Sequence, residues 1–478
     1  MIPSTDAGWC YGLLAAALAV AGCTPIDAVA VAPAPVVPER FEQEPSGPSS
    51  ASLNWREYFG EPELAELIGE ALRGSFDVAI ALQRIELARV NARATANALF
   101  PRVALQASAG VQKFGLYTAE GAGSASTNIA PGRATPENLT DFSIGLVSSW
   151  EIDLWGKLRA QRRSAFAQYL ASIEGANLVL TSLVSDVAVA YFELLAKDNA
   201  LVVLEQSVQR NEEALDAVRL QKDAGRANLL AVQQFESQLL NSRAMRSEAA
   251  QQRAELESRV NLLLGRYPRA VPRQSNTLFN EPTRRASAGL PSELLHNRPD
   301  IREAELQLRA TEFDVQAARA AFFPTVEISA HAGLQAFNPA YLVRVPESLS
   351  YSLFGNLVAP LVNRGALQAA FSSAKTSQIA AMYHYQKAIL NGYVEVANAL
   401  TGIEAVGQLI ELKRAQQEAS LQSVTVADEL YRAGRATYLE VLLAQQGSLG
   451  VQLEFIEALK RRRILAVAVY KALGGGWR

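Results

Sequence analysis

Four ionisable side chains, Glu151, Asp153, Lys157 and Arg159, stand close together in the stretch Ser149–Arg159. Two carboxylates beside two cations could work as a general acid and base. The same spacing suits a strand that gives way to a helix. Trp150 and Trp155 would then sit at a membrane interface, and Asp153 near a helix N-terminus, where negative charge is stabilised. The second reading is preferred, because nothing else completes a catalytic set. His296, His331 and His384 lie far apart, and two cysteines in 478 residues form neither a disulfide scaffold nor a multi-cysteine metal site. Gly156-Lys157 lacks the remainder of a phosphate-binding loop. The expectation is therefore no catalytic, cofactor-binding or metal residue, and no enzyme. With 45 basic against 48 acidic residues, net charge −3, the chain has no excess of positive charge for nucleic acid. An apolar content of 49% excludes a wholly disordered chain.

Cys23 is the other residue with available chemistry. Tyr11 to Gly22 is an apolar run too short to span a bilayer and suited to a signal-peptide core, so residues 1–22 are read as a signal peptide. The run ends in Val20-Ala21-Gly22-Cys23, which resembles the lipobox of bacterial lipoproteins. The resemblance implies cleavage before Cys23 and acylation of its sulfur. Thr24 in place of Asp implies the outer membrane. Residues 23–52, rich in proline, read as an extended tether.

The elements that position these residues show in the placement of proline. Of 20 prolines, none lies between Pro136 and Pro268 or after Pro360. Proline inside a helix costs about 3 kcal/mol, so the two gaps predict long helices. In the first gap Phe166, Tyr169, Ile173, Leu180, Leu183, Val187, Tyr191, Leu194 and Leu201 recur at helical spacing. A rod of roughly 100 Å from Gly156 to Ala224 needs neighbours along its length, as in a bundle or tube.

The chain also repeats itself. Ala224-Gly225-Arg226-Ala227 recurs as Ala433-Gly434-Arg435-Ala436, and Leu264-Gly265 as Leu473-Gly474, both 209 residues later. Gly156 maps onto Gly365 at the same offset, whereas Ala98–Pro101 recurs as Ala321–Pro324 after 223 residues. Two tandem copies are predicted, 53–267 and 290–478, joined by a linker over 268–289. In each, a helix (Phe76–Leu99; Pro299–Phe322) stops at a proline. Two strands follow, over 101–114 and 140–152 in the first copy and 324–337 and 349–361 in the second. A long helical hairpin comes last, over 156–264 and 365–473. The strands alternate apolar and polar residues and match the roughly 9–11 residues needed to cross a bilayer at a tilt. The linkers 115–139 and 338–348 read as exposed loops. One chain supplies four such strands, and open edges are not tolerated in lipid, so copies must associate to close the sheet.

Several stretches resemble the TolC-type outer-membrane efflux factors, in their NodT-like lipoprotein branch. They are Ser149–Arg159, Asn297-Arg298-Pro299-Asp300-Ile301, Ala320–Pro324, Tyr431–Gly434 and Thr437–Leu442, which together with the repeat span nearly all of residues 52–478. The resemblance implies a membrane α+β fold. Three chains would form a twelve-stranded β-barrel continuous with a periplasmic α-helical barrel. The homotrimer would be a passive export duct for small molecules in the outer membrane of a Gram-negative bacterium. An inner-membrane pump, of the resistance–nodulation–division type, and a periplasmic adaptor would be its partners, and outer-membrane lipid would surround it. No cofactor and no nucleic acid are implied.

Gly225 and Gly434 fit helix C-caps, with Asn228 and Thr437 capping the returning helices. The resemblance makes Gly225, Arg226, Asn228, Gly434, Arg435 and Thr437 hairpin-tip contacts for the adaptor. Tyr431 matches an aperture tyrosine of some members. The matching arginine position is Ala436, and the aspartate positions are Ala231 and Leu443, so the closing network differs here. His331 falls on a polar strand face, His384 reads as helix packing, and Arg461-Arg462-Arg463 as a solvated helix face. The alternative function is a lipid-anchored coiled-coil structural or adaptor protein of the periplasm, which would need no paired membrane-length strands.

Overall fold

A computed structural model of the chain describes residues 38–41, 49–281, 287–362 and 364–477. The signal segment 1–22 and Cys23 lie outside the described residues. In chain order the helices and strands are α1 (Trp55–Phe59), α2 (Pro62–Gly74), α3 (Phe76–Asn97), β1 (Arg102–Gln112), α4 (Ala119–Ser126), β2 (Asn128–Ala130), β3 (Arg133–Ala134) and β4 (Leu139–Ile152). Then come α5 (Lys157–Asp223), α6 (Leu229–Leu263), α7 (Leu294–Asn297), α8 (Pro299–Ala320), β5 (Thr325–Ala336), β6 (Leu349–Val358), α9 (Gly365–Arg432) and α10 (Tyr438–Ala472). The chain divides into two compact units, and the division falls inside α3, α5, α8 and α9.

The first unit contains Leu87–Tyr169 and Gln307–Met382. Its sheet is antiparallel in the order β1-β4-β5-β6. Both helices that lead into it end at Phe-Pro. Proline disfavours the α conformation in the residue before it, so the last turns tighten to i→i+3 bonds, Phe100 N–H to Asn97 O at 3.1 Å and Phe323 N–H to Ala320 O at 3.1 Å. This is why α3 and α8 stop at Asn97 and Ala320, two residues short of Leu99 and Phe322. Gly145 faces Gly333 across the β4–β5 ladder. A Cβ on Gly145 would meet Ala332 O at 2.7 Å, and one on Gly333 would collide with Ile144 O. The β1–β4 connection is more than an open loop. It holds α4, capped by the Thr118 hydroxyl accepting from Gly121 N–H at 3.1 Å, and the β2–β3 hairpin. Lys113 and Glu137 pair at 2.7 Å at its base.

The second unit contains the described residues up to Glu86, Leu170–Leu306 and the chain from Tyr383 onward. Its main core joins Leu64 and Ile68 of α2, Tyr191 and Leu194 of α5, Val260 of α6, Ile410 of α9 and Tyr470 of α10. Tyr58 stacks on Tyr470 with centroids 4.5 Å apart, and each hydroxyl donates to a carbonyl 2.8 Å away, Ala466 O and Leu53 O. The apolar face of α5 is buried at Leu183, Val187, Tyr191 and Leu194, which explains why an apolar helix of 67 residues need not be a membrane span. Phe166, on the same stripe but within the first unit, is 54% exposed. Phe41 and Ala51 depart from the unpacked tether expected over 23–52. Phe41 stacks on Tyr393 at 5.2 Å in a cluster with Ile301, Val396 and Leu473.

Both helical hairpins return to the start of an earlier helix. A Cβ on Gly74 would lie 2.6 Å from Leu264 O, and the Gly265 position abuts Gly74 O. Likewise the Gly474 position abuts Asn297 O. Gly265 and Gly474 take φ of +70° and +85°, a region open to glycine. Two readings are corrected. Arg463 is only 4% exposed, because this point of α10 faces the core and not solvent. His384 is exposed, because α9 turns Tyr385, Ala388 and Ile389 inward, one helical step away.

Replacing Gly333 by Val is expected to abolish the folded outer-membrane form, whereas Gly355→Val is tolerated, since a Cβ there meets nothing within 4 Å. Heat-dependent gel migration of the two variants checks this.

Candidate functional site

Three places carry the chemistry available to this chain: the faces and edges of the sheet, the strand-to-helix junction after β4, and the tips of the two helical hairpins.

Residues directly opposite in a ladder point to the same face. The register therefore places Val103, Leu105 and Val111 of β1 with Phe142, Ile144 and Leu146 of β4, with Ile328, Ala330 and Leu334 of β5, and with Leu349, Tyr351 and Leu353 of β6. No carboxylate, amine, guanidinium or imidazole shares this face. It is nonetheless open: Leu105 is 72% exposed, Leu353 73% and Tyr351 82%. Water would not tolerate so large an apolar surface, whereas hydrocarbon would. The other face carries Gln106, Ser108, Asp141, Ser143, Glu151, Glu327, His331, Gln335 and Asn356. Hydrogen bonds cross it, Ser108 to Ser143 at 2.7 Å and Gln335 Nε2 to the Asp141 carboxylate at 2.9 and 3.1 Å. His331 lies on this face, as read from the alternation. β1 and β6 are the outer strands of the sheet, each paired along one side only.

The four ionisable groups of Ser149–Arg159 form two separate ion pairs, Lys157 with Glu151 at 2.6 Å and Arg159 with Asp153 at 3.0 Å. Asp153 also accepts the N–H groups of Leu158 and Arg159 at 3.0 and 2.9 Å, two of the first amides of α5. Burial alone would raise the Asp153 carboxyl, but these amides and the Arg159 guanidinium together hold it below the usual carboxylate range. The two tryptophans tie the junction to both proline-terminated helices. Trp150 Nε1 donates to Leu99 O at 3.0 Å, and Trp155 Nε1 donates to Pro324 O at 2.7 Å while its ring stacks on Phe323 at 4.9 Å. One short segment thus fixes where helix becomes strand in three passes of the chain.

At the hairpin tips Gly225 and Gly434 both have φ +72°. Arg226 N–H reaches Gln221 O at 2.7 Å and Arg435 N–H reaches Leu430 O at 2.8 Å, the longer bonds of two Schellman caps. The Asn228 side chain accepts from Ala231 N–H at 2.9 Å. Thr437 donates its N–H to the Glu440 carboxylate at 2.6 Å and its hydroxyl at 3.0 Å. The Thr437 amide holds the Glu440 carboxyl below its ordinary range. Arg226 and Arg435 are exposed. Tyr431 donates its hydroxyl to Gln221 and so joins the second hairpin to the first. Neither Gln221 nor the glycine pair Gly145/Gly333 carries a signal in the sequence, whereas the Thr437…Glu440 spacing is a readable capping box. Among the described residues no group of His, Cys, Asp and Glu is arranged to hold a metal ion.

The family described as outer membrane efflux protein matches residues 67–266 and 290–475. The pyoverdine export outer membrane protein OpmQ of Pseudomonas aeruginosa is 31% identical over 467 residues, covering 96% of each chain. The cation efflux system protein CusC of Escherichia coli K12 is 29% identical over 468 residues, covering 96% of this chain and 98% of CusC. The open-state MtrE outer membrane channel of Neisseria gonorrhoeae superposes with a TM-score of 0.80 at 26% identity, over 95% of this chain and 99% of that one.

Asp153→Asn removes the negative charge that faces the first amides of α5 and pairs with Arg159, with an expected cost of about 1 kcal/mol. Because the carboxyl is held low, the wild-type advantage is present above the ordinary carboxylate range and lost as pH falls through the lowered value. Thermal melts of the two proteins at neutral and strongly acid pH should show a gap that closes in acid.

Proposed function

This chain belongs to the outer membrane efflux protein family, and from that premise we propose that it works as a homotrimeric passive duct, closed edge to edge by its sheets. It is an outer-membrane channel component of an efflux system. The observation that carries the proposal is the four-stranded sheet, with an ion-free apolar face and outer strands paired on one side only. An unsatisfied backbone group in hydrocarbon costs several kcal/mol, so β1 of one copy pairs with β6 of the next until the ring closes. Three copies make twelve strands. The exposed apolar residues of α3, among them Ile80, Leu82, Leu87 and Val90, find partners in the same assembly.

Each chain is built of two copies of one unit. Supporting this, the helix lengths run 22, 67 and 35 residues in one half and 22, 68 and 35 in the other. The hairpin ends also meet equivalent places, Gly74 at Leu264-Gly265 and Asn297 at Gly474, which obey the offsets of 223 and 209 residues. Cys23 carries the lipid anchor. The tips, through Gly225, Arg226, Asn228, Gly434, Arg435 and Thr437, meet a periplasmic adaptor that couples the duct to an inner-membrane pump of the resistance–nodulation–division type. Tyr431 narrows the aperture through Gln221. The duct supplies no chemistry and does not select cargo. In support, similar relatives are named for unlike cargoes, pyoverdine and a cation. A coiled-coil adaptor, the alternative, would have no use for an apolar sheet face.

Purified protein in planar bilayers is expected to conduct ions and, unheated, to migrate as a trimer of the mature chain. A silent bilayer or a monomer would refute the duct. Gly434→Val is expected to assemble normally, since open space surrounds the position. It should lose export, because the left-handed conformation costs a β-branched residue roughly 1–2 kcal/mol and the tip shifts to relieve it. Drug or cation susceptibility with a correctly assembled variant is the measurement.

A further inference from the structure

In the second unit, Glu61 at the start of α2, Tyr191 of α5 and Arg463 of α10 are 9%, 0% and 4% exposed, and the Glu61 carboxylate acts electrostatically on both of the others. Arg463 NH1 lies 3.3 Å from Glu61 Oε1, but the two are not aligned for a hydrogen bond. Both Glu61 carboxylate oxygens, the Tyr191 hydroxyl and Arg463 Nε are buried without a hydrogen-bond partner. The Gln274 main chain lies near the Tyr191 hydroxyl without reaching hydrogen-bond geometry. Arg463 is otherwise committed. Its NH2 donates to Thr277 O at 2.8 Å and Asn280 O at 3.1 Å, and its guanidinium stands 5.3 Å over the Phe192 ring.

Four buried polar atoms without partners are costly, and native interiors satisfy such groups with protein or with bound water. The charge balance selects the occupant. Carboxylate and guanidinium, 3.3 Å apart, cancel each other, and the nearby Arg273 and Arg462 are already paired, the first with Asp198 and Glu257 and the second with Glu281. Neither an anion nor a metal cation gains net attraction there, whereas water can donate to the carboxylate and accept from the phenol and Nε. We propose that Glu61, Tyr191 and Arg463 enclose a site for ordered water, and that this hydrated ion pair fastens the turn Ser275–Phe279 to α10. Burial pushes the Glu61 carboxyl up in spite of Arg463, as an incompletely satisfied carboxylate requires.

An experimental structure of the full chain, at a resolution that shows solvent, tests this directly. A density peak within about 3.2 Å of both the Glu61 carboxylate and the Tyr191 hydroxyl is expected. A direct two-bonded Glu61–Arg463 pair with no such peak overturns it. Hydrogen exchange of Tyr191→Phe is the second measurement. The variant keeps the ring in the core but removes one partner of the water. Exchange of the Thr277 and Asn280 amides should quicken several-fold while amides near the hairpin tips do not change. Unchanged exchange at Thr277 and Asn280 overturns the proposal.

Discussion

A backbone amide or carbonyl in hydrocarbon must find a partner, and most of the structure follows from that requirement. The sheet of this chain satisfies it inside each ladder and leaves it open along the outer strands, β1 and β6. Alternation decides the rest. Because successive side chains point to opposite faces, a strand of ordinary length can be apolar toward lipid and polar toward water at once. The glycine pair Gly145/Gly333 shows how tightly the strands approach on the polar side. In the proposed trimer, the outer strands left open in one chain are what joins it to the next.

The helices meet a different requirement. Proline is kept out of α5 and α9, of 67 and 68 residues, and placed where a helix must stop. What proline ends at Phe100 and Phe323, the end of β4 and the segment after it then lock with two indole N–H groups, while the Asp153 carboxylate holds the start of α5. At the far ends of the hairpins, glycine supplies the left-handed residue that closes a Schellman cap, and the same device recurs at Gly265 and Gly474. Turns, stops and junctions are thus made by few residue types, each through a local steric or hydrogen-bonding reason.

That locality is why so much could be read in advance. The helix stops, the strand alternation, the capping residues and both Ala-Gly-Arg-Ala turns involve neighbours in sequence, and the structure places elements there. Where reading failed, the cause lay at a distance. Arg463 looks like part of a solvated run, but its surroundings come from α2, α5 and the turn after Gln274. His384 sits one helical step from the buried stripe, a difference that the flanking tyrosines hide. Phe41 lies among prolines, and partners more than two hundred residues away, the Tyr393 ring and the cluster of Ile301, Val396 and Leu473, make it a core residue. The β1–β4 connection has a loop's composition but closes on its own caps and ladder.

The sequence by itself determined the period of the long helices and of the four strands of the main sheet, where they begin and end to within a few residues, and that one face of each of those strands is apolar, because these depend on spacing, proline and glycine. Only the tertiary structure decided which strand neighbours which, that the four apolar faces coincide, that Tyr431 reaches Gln221, and that a charged arginine is buried beside Glu61. Those outcomes depend on distances between residues remote in the chain, and spacing along a sequence carries no information about such distances until the chain has folded.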